Sequence, residues 1–123
     1  MMRRVDFLKY ERLKSRQLIE TLFKEGKTIY LPPLRVIYLP SDLLSNHQVL
    51  FAVPKKRVKR AVTRNKLKRR MREAYRLNKY RLTNSTPSYF LIGYIYIGSD
   101  EPSDFKTLQE KIVTSLHRLN GFS

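Results

Sequence analysis

Residues 54–81 read PKKRVKRAVTRNKLKRRMREAYRLNKYR. This stretch holds fourteen of the chain's 26 Lys and Arg residues and a single acid, Glu73, so 13 of the 16 net positive charges lie in under a quarter of the sequence. A run of one sign is either a solvated tail or the face of something that meets an anion. Periodicity decides against the tail. At 100° per residue, Leu67, Met71, Ala74 and Asn78 fall on one narrow face from Thr63 onward, with Tyr75 and Leu77 at its flanks, which predicts an amphipathic helix. Asn65, Lys68, Arg69, Arg72, Arg76 and Lys79 gather on the far side within an arc of roughly 100°. Like charges at i,i+3 and i,i+4 repel one another, and a polyanion is the partner that relieves such repulsion. Lys55, Lys56 and Arg60 precede the helix in a loop, placed to steer the same partner.

The order of these residues goes beyond a basic helix. Lys55-Lys56, followed by Ala61-Val62-Thr63-Arg64-Asn65-Lys66-Leu67-Lys68-Arg69-Arg70-Met71-Arg72-Glu73-Ala74, resembles the signature of the bacterial ribonuclease P protein subunit: a KK pair, then AVxRNxxKRxxRE. The match covers about twenty residues without a gap. The resemblance implies a protein that binds a catalytic RNA and the single-stranded 5′ leader of precursor tRNA, assisting removal of the leader in the cytoplasm. It assigns the catalytic RNA to Arg64, Asn65, Lys68, Arg69 and Arg72; Arg76 and Lys79 join them from the helical wheel alone. Arginine suits phosphate through paired hydrogen bonds, and an asparagine can reach a base edge, a ribose hydroxyl or its own backbone. It also implies a leader cleft between the first helix and the sheet, at Ile19, Phe23 and Tyr38. Ile19 departs from the family pattern, where an aromatic is common, so one stacking platform is missing there.

Working outward, the chain of 123 residues is expected to form one RNA-binding domain with a core of its own. It has no cysteine, which excludes disulfides, zinc knuckles and thiol chemistry. Residues 1–14 are charged, lack the apolar run of a secretory signal, and are expected to be a flexible basic N-terminus. The longest apolar run, residues 89–97, is too short to span a bilayer as a helix. Ser15 is placed to cap a helix at about 16–25, and Gly26 to stop it. Residues 27–30 suit a short edge strand before Pro32-Pro33. Residues 34–39 alternate, with Leu34, Val36 and Tyr38 on one face, and Pro40 is expected to end that strand. Residues 48–53 form a third strand, 84–88 a turn cluster, and 89–97 a strand buried on both faces. Ser103 or Asp104 caps a last helix whose inner side is Phe105, Leu108, Ile112, Leu116 and Leu119.

The resulting order is α-β-β-β-α-β-α: an α+β two-layer sandwich with a four-stranded, mostly antiparallel sheet and a β-α-β crossover. Such crossovers are right-handed as a rule; the resemblance implies a left-handed one.

The acids exclude most protein-based nuclease chemistry. Ten of them are dispersed, with no DxD or ExxE pair to hold metal ions. Asp100, Glu101 and Asp104 cluster before the last helix, where its dipole accounts for them. His47 and His117 read as surface residues rather than catalysts, and the four glycines make no phosphate loop. No catalytic residue and no protein ligand for metal is therefore expected. Magnesium is expected with the RNA, which carries the chemistry if the resemblance holds. No membrane and no small-molecule substrate are expected as partners. Two other classes stay open: a structural RNA-binding protein such as a ribosomal protein, and, more weakly, a membrane-surface helix, for which the apolar face is narrow and lacks Trp or Phe.

Overall fold

The computed structural model describes residues 9–83 and 89–121; the turn cluster read at 84–88 lies outside them, as do residues 1–8. In chain order come α1 (Arg16–Glu25), β1 (Lys27–Leu31), β2 (Leu34–Ser41), β3 (Gln48–Ala52), α2 (Ala61–Asn78), β4 (Tyr89–Tyr96) and α3 (Phe105–Asn120). The sheet order is β1-β2-β4-β3, antiparallel except for β3 beside β4. The expected order and mixed α+β architecture are present. β4, central and apolar on both faces, is buried from Phe90 to Tyr96.

Strand alternation divides the core. Leu34, Val36 and Tyr38 of β2, with Phe90, Ile92, Tyr94 and Tyr96 of β4, face α2 and α3. Ile37, Leu91 and Ile95 face the other way, toward Leu18, Ile19 and Leu22 of α1. The layer of α2 and α3 is thus matched by α1 across the sheet. On the α2 side, Tyr94 stacks on Phe51 with ring centroids 5.7 Å apart. Its hydroxyl lies 2.7 Å from Ser115 Oγ, so this buried phenol is hydrogen-bonded, and burial pushes its pKa up. On the α1 side, Leu22 rests over Gly93, where an added Cβ would stand 3.4 Å from its Cδ2.

The ends follow from local chemistry. Ser15 Oγ accepts from the Leu18 N–H, and Asp104 caps α3 by accepting from the Thr107 N–H at 2.8 Å. That hydrogen bond holds the Asp104 carboxyl below its usual range. Asp100 does not serve the helix dipole; it accepts from the Lys59 N–H and ties the loop before α2 to the loop before α3.

Two expectations need correction. Pro40 does not end β2, which continues to Ser41 with Pro40 opposite Phe90. β1 has its last pair at Tyr38, so Pro40 lies where that side of β2 is already an edge and a missing N–H breaks no ladder there. Residues 9–14 are not loose. Leu13 is buried and its N–H donates to Val49 O at 3.0 Å; Asn46 Nδ2 donates to Tyr10 O; and Glu11 is buried and pairs with Lys79 at 2.8 Å. Each anchor comes from a residue far along the sequence, the Val49 carbonyl or the Asn46 and Lys79 side chains, and local composition carries no sign of it.

Candidate nucleic-acid interface

α2 is placed by its apolar stripe. Leu67, Met71 and Ala74 are fully buried, and Tyr75 and Asn78 nearly so. Leu77, at the predicted flank, is exposed instead. Asn78 is a polar node. Its Nδ2 donates to Ala74 O and Gln109 Oε1, and its Oδ1 accepts from Arg81 Nε, joining α2, α3 and the 3-10 turn Lys79–Arg81. Both amide hydrogens and the amide oxygen find partners within the protein, which makes a buried asparagine tolerable there.

Docking this stripe turns the opposite side outward, but not every predicted cation on it is available. The side chains of Asn65, Lys68, Arg69 and Arg72 make no hydrogen bond or ion pair with a described residue, and Asn65 and Arg69 are exposed. Arg76 is engaged by Glu73, one turn back, and that hydrogen bond lowers the Glu73 pKa. Lys79 is largely buried in its pair with Glu11 and is not a ridge cation. Arg64 donates to Val58 O at 3.0 Å and Lys59 O at 2.7 Å, so it shapes the loop entering the helix as well as adding charge. Arg70, facing neither way on the wheel, donates to Ser103 O and links α2 to the α3 cap. The helix begins at Arg60 without a side-chain cap and with no acid in its first turn. Its positive dipole end therefore adds to the cations around it. Lys55, Lys56 and Arg60 are exposed on the loop before it, which the buried Val58 anchors.

The three predicted cleft residues do not come together. Ile19 and Phe23, one turn apart on α1, lie on the α1 side of the sheet; Phe23 is 45% exposed and Ile19 half-buried. Tyr38 points to the opposite side. It is 4% exposed, packed edge-on to Phe90 with centroids 6.1 Å apart, and burial raises its hydroxyl pKa. It shares that face with Leu34 and Val36, as alternation along β2 requires.

The α1 side does hold an open groove of about 530 Å³, lined by Arg35, Pro54, Lys56, Arg57, Ile95 and Ile97. Three cations from two segments surround an apolar floor, with no acid among the lining residues. A smaller hollow runs along β3, lined in part by Arg12, Lys14 and Arg72. Periodicity missed both, because their cations come from separate parts of the chain.

His47 is not a plain surface residue. Its Nδ1 accepts from the Phe90 N–H at 3.0 Å, and the ring stacks on Phe90. Burial lowers its pKa to about 4, against a smaller opposing pull from Glu11. Among the described residues, no three His, Asp or Glu side chains are grouped to hold a metal ion, and no helix is long and apolar enough to cross a membrane.

A one-signed helix ridge on one side of a sheet and a cation-rimmed groove on the other define a basic α+β domain of the polyanion-binding kind. The chain belongs to the ribonuclease P protein family, whose model, Ribonuclease P, matches residues 7–120. It is 44% identical over 121 residues to the ribonuclease P protein component of Porphyromonas gingivalis, covering 92% of this chain and 85% of that one. It is 31% identical to that of Thermotoga maritima, over 94% and 97% of the two chains. The solved RNase P protein from Thermotoga maritima superposes with a TM-score of 0.71 at 32% identity, covering 88% of this chain and 96% of that one. The Staphylococcus aureus RNase P protein shares the fold, with a TM-score of 0.68 at 18% identity over 89% and 96% of the chains. Membership implies a ribonuclease P complex and an RNA partner.

Proposed function

We propose that this protein is the subunit of ribonuclease P that binds the catalytic RNA through α2 and the 5′ leader of precursor tRNA on the α1 side of the sheet. The observation that carries this reading is the division of the cations. Asn65, Lys68, Arg69 and Arg72 stand on a helix packed against one face of the sheet, while Arg35, Lys56 and Arg57 rim a groove on the other. Two cationic surfaces separated by the sheet suit two RNA segments held apart.

On α2, Arg69 and Arg72 supply paired hydrogen bonds to phosphate and Lys68 a point charge. Asn65 supplies the group able to meet a base edge or a ribose hydroxyl. Arg64, Arg60 and Lys55 add to the field where the loop enters the helix. On the α1 side, Phe23 is the stacking residue, with Ile19 packing beside it, and Tyr38 has no part in the cleft. The protein contributes no general base or acid. Hydrolysis and magnesium binding belong to the RNA in this reading, and the cytoplasm is where both occur.

The test is cleavage of precursor tRNA by the source organism's catalytic RNA at low magnesium, with and without the protein. Faster cutting at the mature 5′ end on adding protein is the expected result. No gain, with the protein folded and the RNA active at high magnesium, would favour a structural RNA-binding role.

A further inference from the structure

The outward side of α2 does not stop at Arg72. The 3-10 turn Lys79–Arg81 follows α2 without a break. Counted from Arg69 at about 100° per residue, Tyr80 falls about 20° off the same line. Exposure agrees with the count. Tyr80 is 59% exposed and Leu77, one turn before it, 40%, while Lys79 between them is drawn inward by Glu11. At about 1.5 Å of rise per residue, Tyr80 stands roughly 22 Å along the helix from Asn65, so the two would meet different nucleotides of a bound RNA. The motif that marks this helix in the sequence ends at Ala74 and assigns nothing to its far end.

The Tyr80 ring is held in place before any ligand arrives. The Arg81 guanidinium lies over one face, 5.2 Å from the ring centroid. Arg81 is itself fixed: its Nε donates to Asn78 Oδ1, and its carbonyl accepts from Asn120 Nδ2 at the end of α3. The Thr83 N–H donates to Asn120 Oδ1 and secures the same turn. A cation on one face of a ring leaves the other for a second planar partner. The electron-rich face of a phenol repels phosphate and accepts the face of a base. Beside Arg81 opens a hollow of about 370 Å³ with Glu110 in its lining, and an acid there turns a phosphate chain away.

We propose that one unpaired nucleotide of the catalytic RNA, in a loop or a bulge, stacks its base on Tyr80, with Leu77 against the base edge. The assignment rests on the α2 reading above and gives that interface its end point. Bases within a duplex are already stacked and present no free face, so the RNA at this end of α2 is single-stranded. Two apolar side chains bordered by Arg76 and Arg81 are too little for a protein interface and suit a single base.

The experiment titrates the full chain against its catalytic RNA over a range of salt concentrations. Tyr80→Leu keeps apolar bulk at an exposed position and removes the π face. It should weaken binding about tenfold, the scale of one lost stacking contact, and leave the log–log salt slope unchanged, because no phosphate contact is lost. Tyr80→Phe should bind as wild type does, since the ring and not the hydroxyl is used. Mapping of 2′-hydroxyl acylation at saturating protein should show a nucleotide protected by wild type and Tyr80→Phe and released by Tyr80→Leu. Wild-type affinity for Tyr80→Leu would overturn the assignment and leave the patch to a protein partner. A loss that flattens the salt slope, or an equal loss in Tyr80→Phe, would overturn it in favour of a phosphate or hydroxyl contact. Wild-type affinity and slope for Arg69→Ala would instead overturn the α2 reading, and this assignment with it.

Discussion

Gly26 stands where α1 passes the chain to β1. Its φ of −70° is open to any residue, so no left-handed turn requires the glycine. Space requires it: a Cβ here would collide with Leu22 O and come within 2.7 Å of Ile37 Cγ2. Gly26→Ala should therefore cost about 1–3 kcal/mol, as overpacking does, read as a lower denaturant midpoint at unchanged slope. An unchanged midpoint would mean that α1 can slide away from β2 freely. The sequence marked the position as a helix stop, and the cause became visible only with β2 packed beside it. His47 makes a residue-scale prediction of a different kind. Its pKa is lowered from 6.5 to about 4, mainly by burial, so the folded state prefers the neutral ring, which accepts the Phe90 N–H. A proton binds the unfolded chain first. The stability His47 contributes is therefore complete above pH 6.5 and is lost as pH falls through about 4. The lowered carboxyls of Glu73 and Asp104 titrate below their ordinary values of 4.5 and 3.8, beneath most of this window. Thermal melts from pH 7 downward should show a decline that is shallower in His47→Gln, which keeps an acceptor but has no proton to gain. Parallel profiles would remove His47 as its source.

At the scale of the element, α2 was legible because two independent signals coincide in it: a 3.6-residue apolar repeat and charges of one sign. The repeat fixed Leu67, Met71, Ala74 and Asn78 inside, and all four are. It could not show which outward cations the fold itself would use. Lys79 is held by Glu11, 68 residues earlier in the chain, and a helical wheel carries no information about that distance. Tyr38 was misplaced for a different reason: alternation along β2 groups it with Leu34 and Val36 but does not say which helices that face meets, and the packing of α2 and α3 on it decides. Two substitutions on α2 should therefore behave differently. Lys79→Ala removes a pair whose side chains are 19% and 12% exposed, and should cost about 1–3 kcal/mol of stability. Arg69→Ala should leave stability within about 0.5 kcal/mol, weaken binding to the catalytic RNA, and flatten its log–log salt slope by about one. A stable Lys79→Ala protein with weakened RNA binding would return Lys79 to the ridge.

For the whole molecule, the excess of 16 positive charges sets a field but not a destination. The destination comes from the sheet, which separates the α2 cations from those of the groove. Arg69 and Phe23 stand on helices packed against opposite faces of this sheet. Neither side chain makes a hydrogen bond or ion pair with a described residue, so no shared partner couples them. Changes at independent sites add to within about 0.3–0.5 kcal/mol. Arg69→Ala should weaken assembly with the catalytic RNA by the same factor whether or not precursor tRNA is present. Phe23→Ala should leave assembly alone and weaken only leader-bearing substrate, by roughly 1–3 kcal/mol if the ring stacks. In the double variant the two losses should simply add. A non-additive result, with Phe23→Ala also weakening assembly in the absence of substrate, would mean that a single RNA wraps both faces. The protein would then be a clamp on its catalytic RNA rather than a bridge between that RNA and the leader.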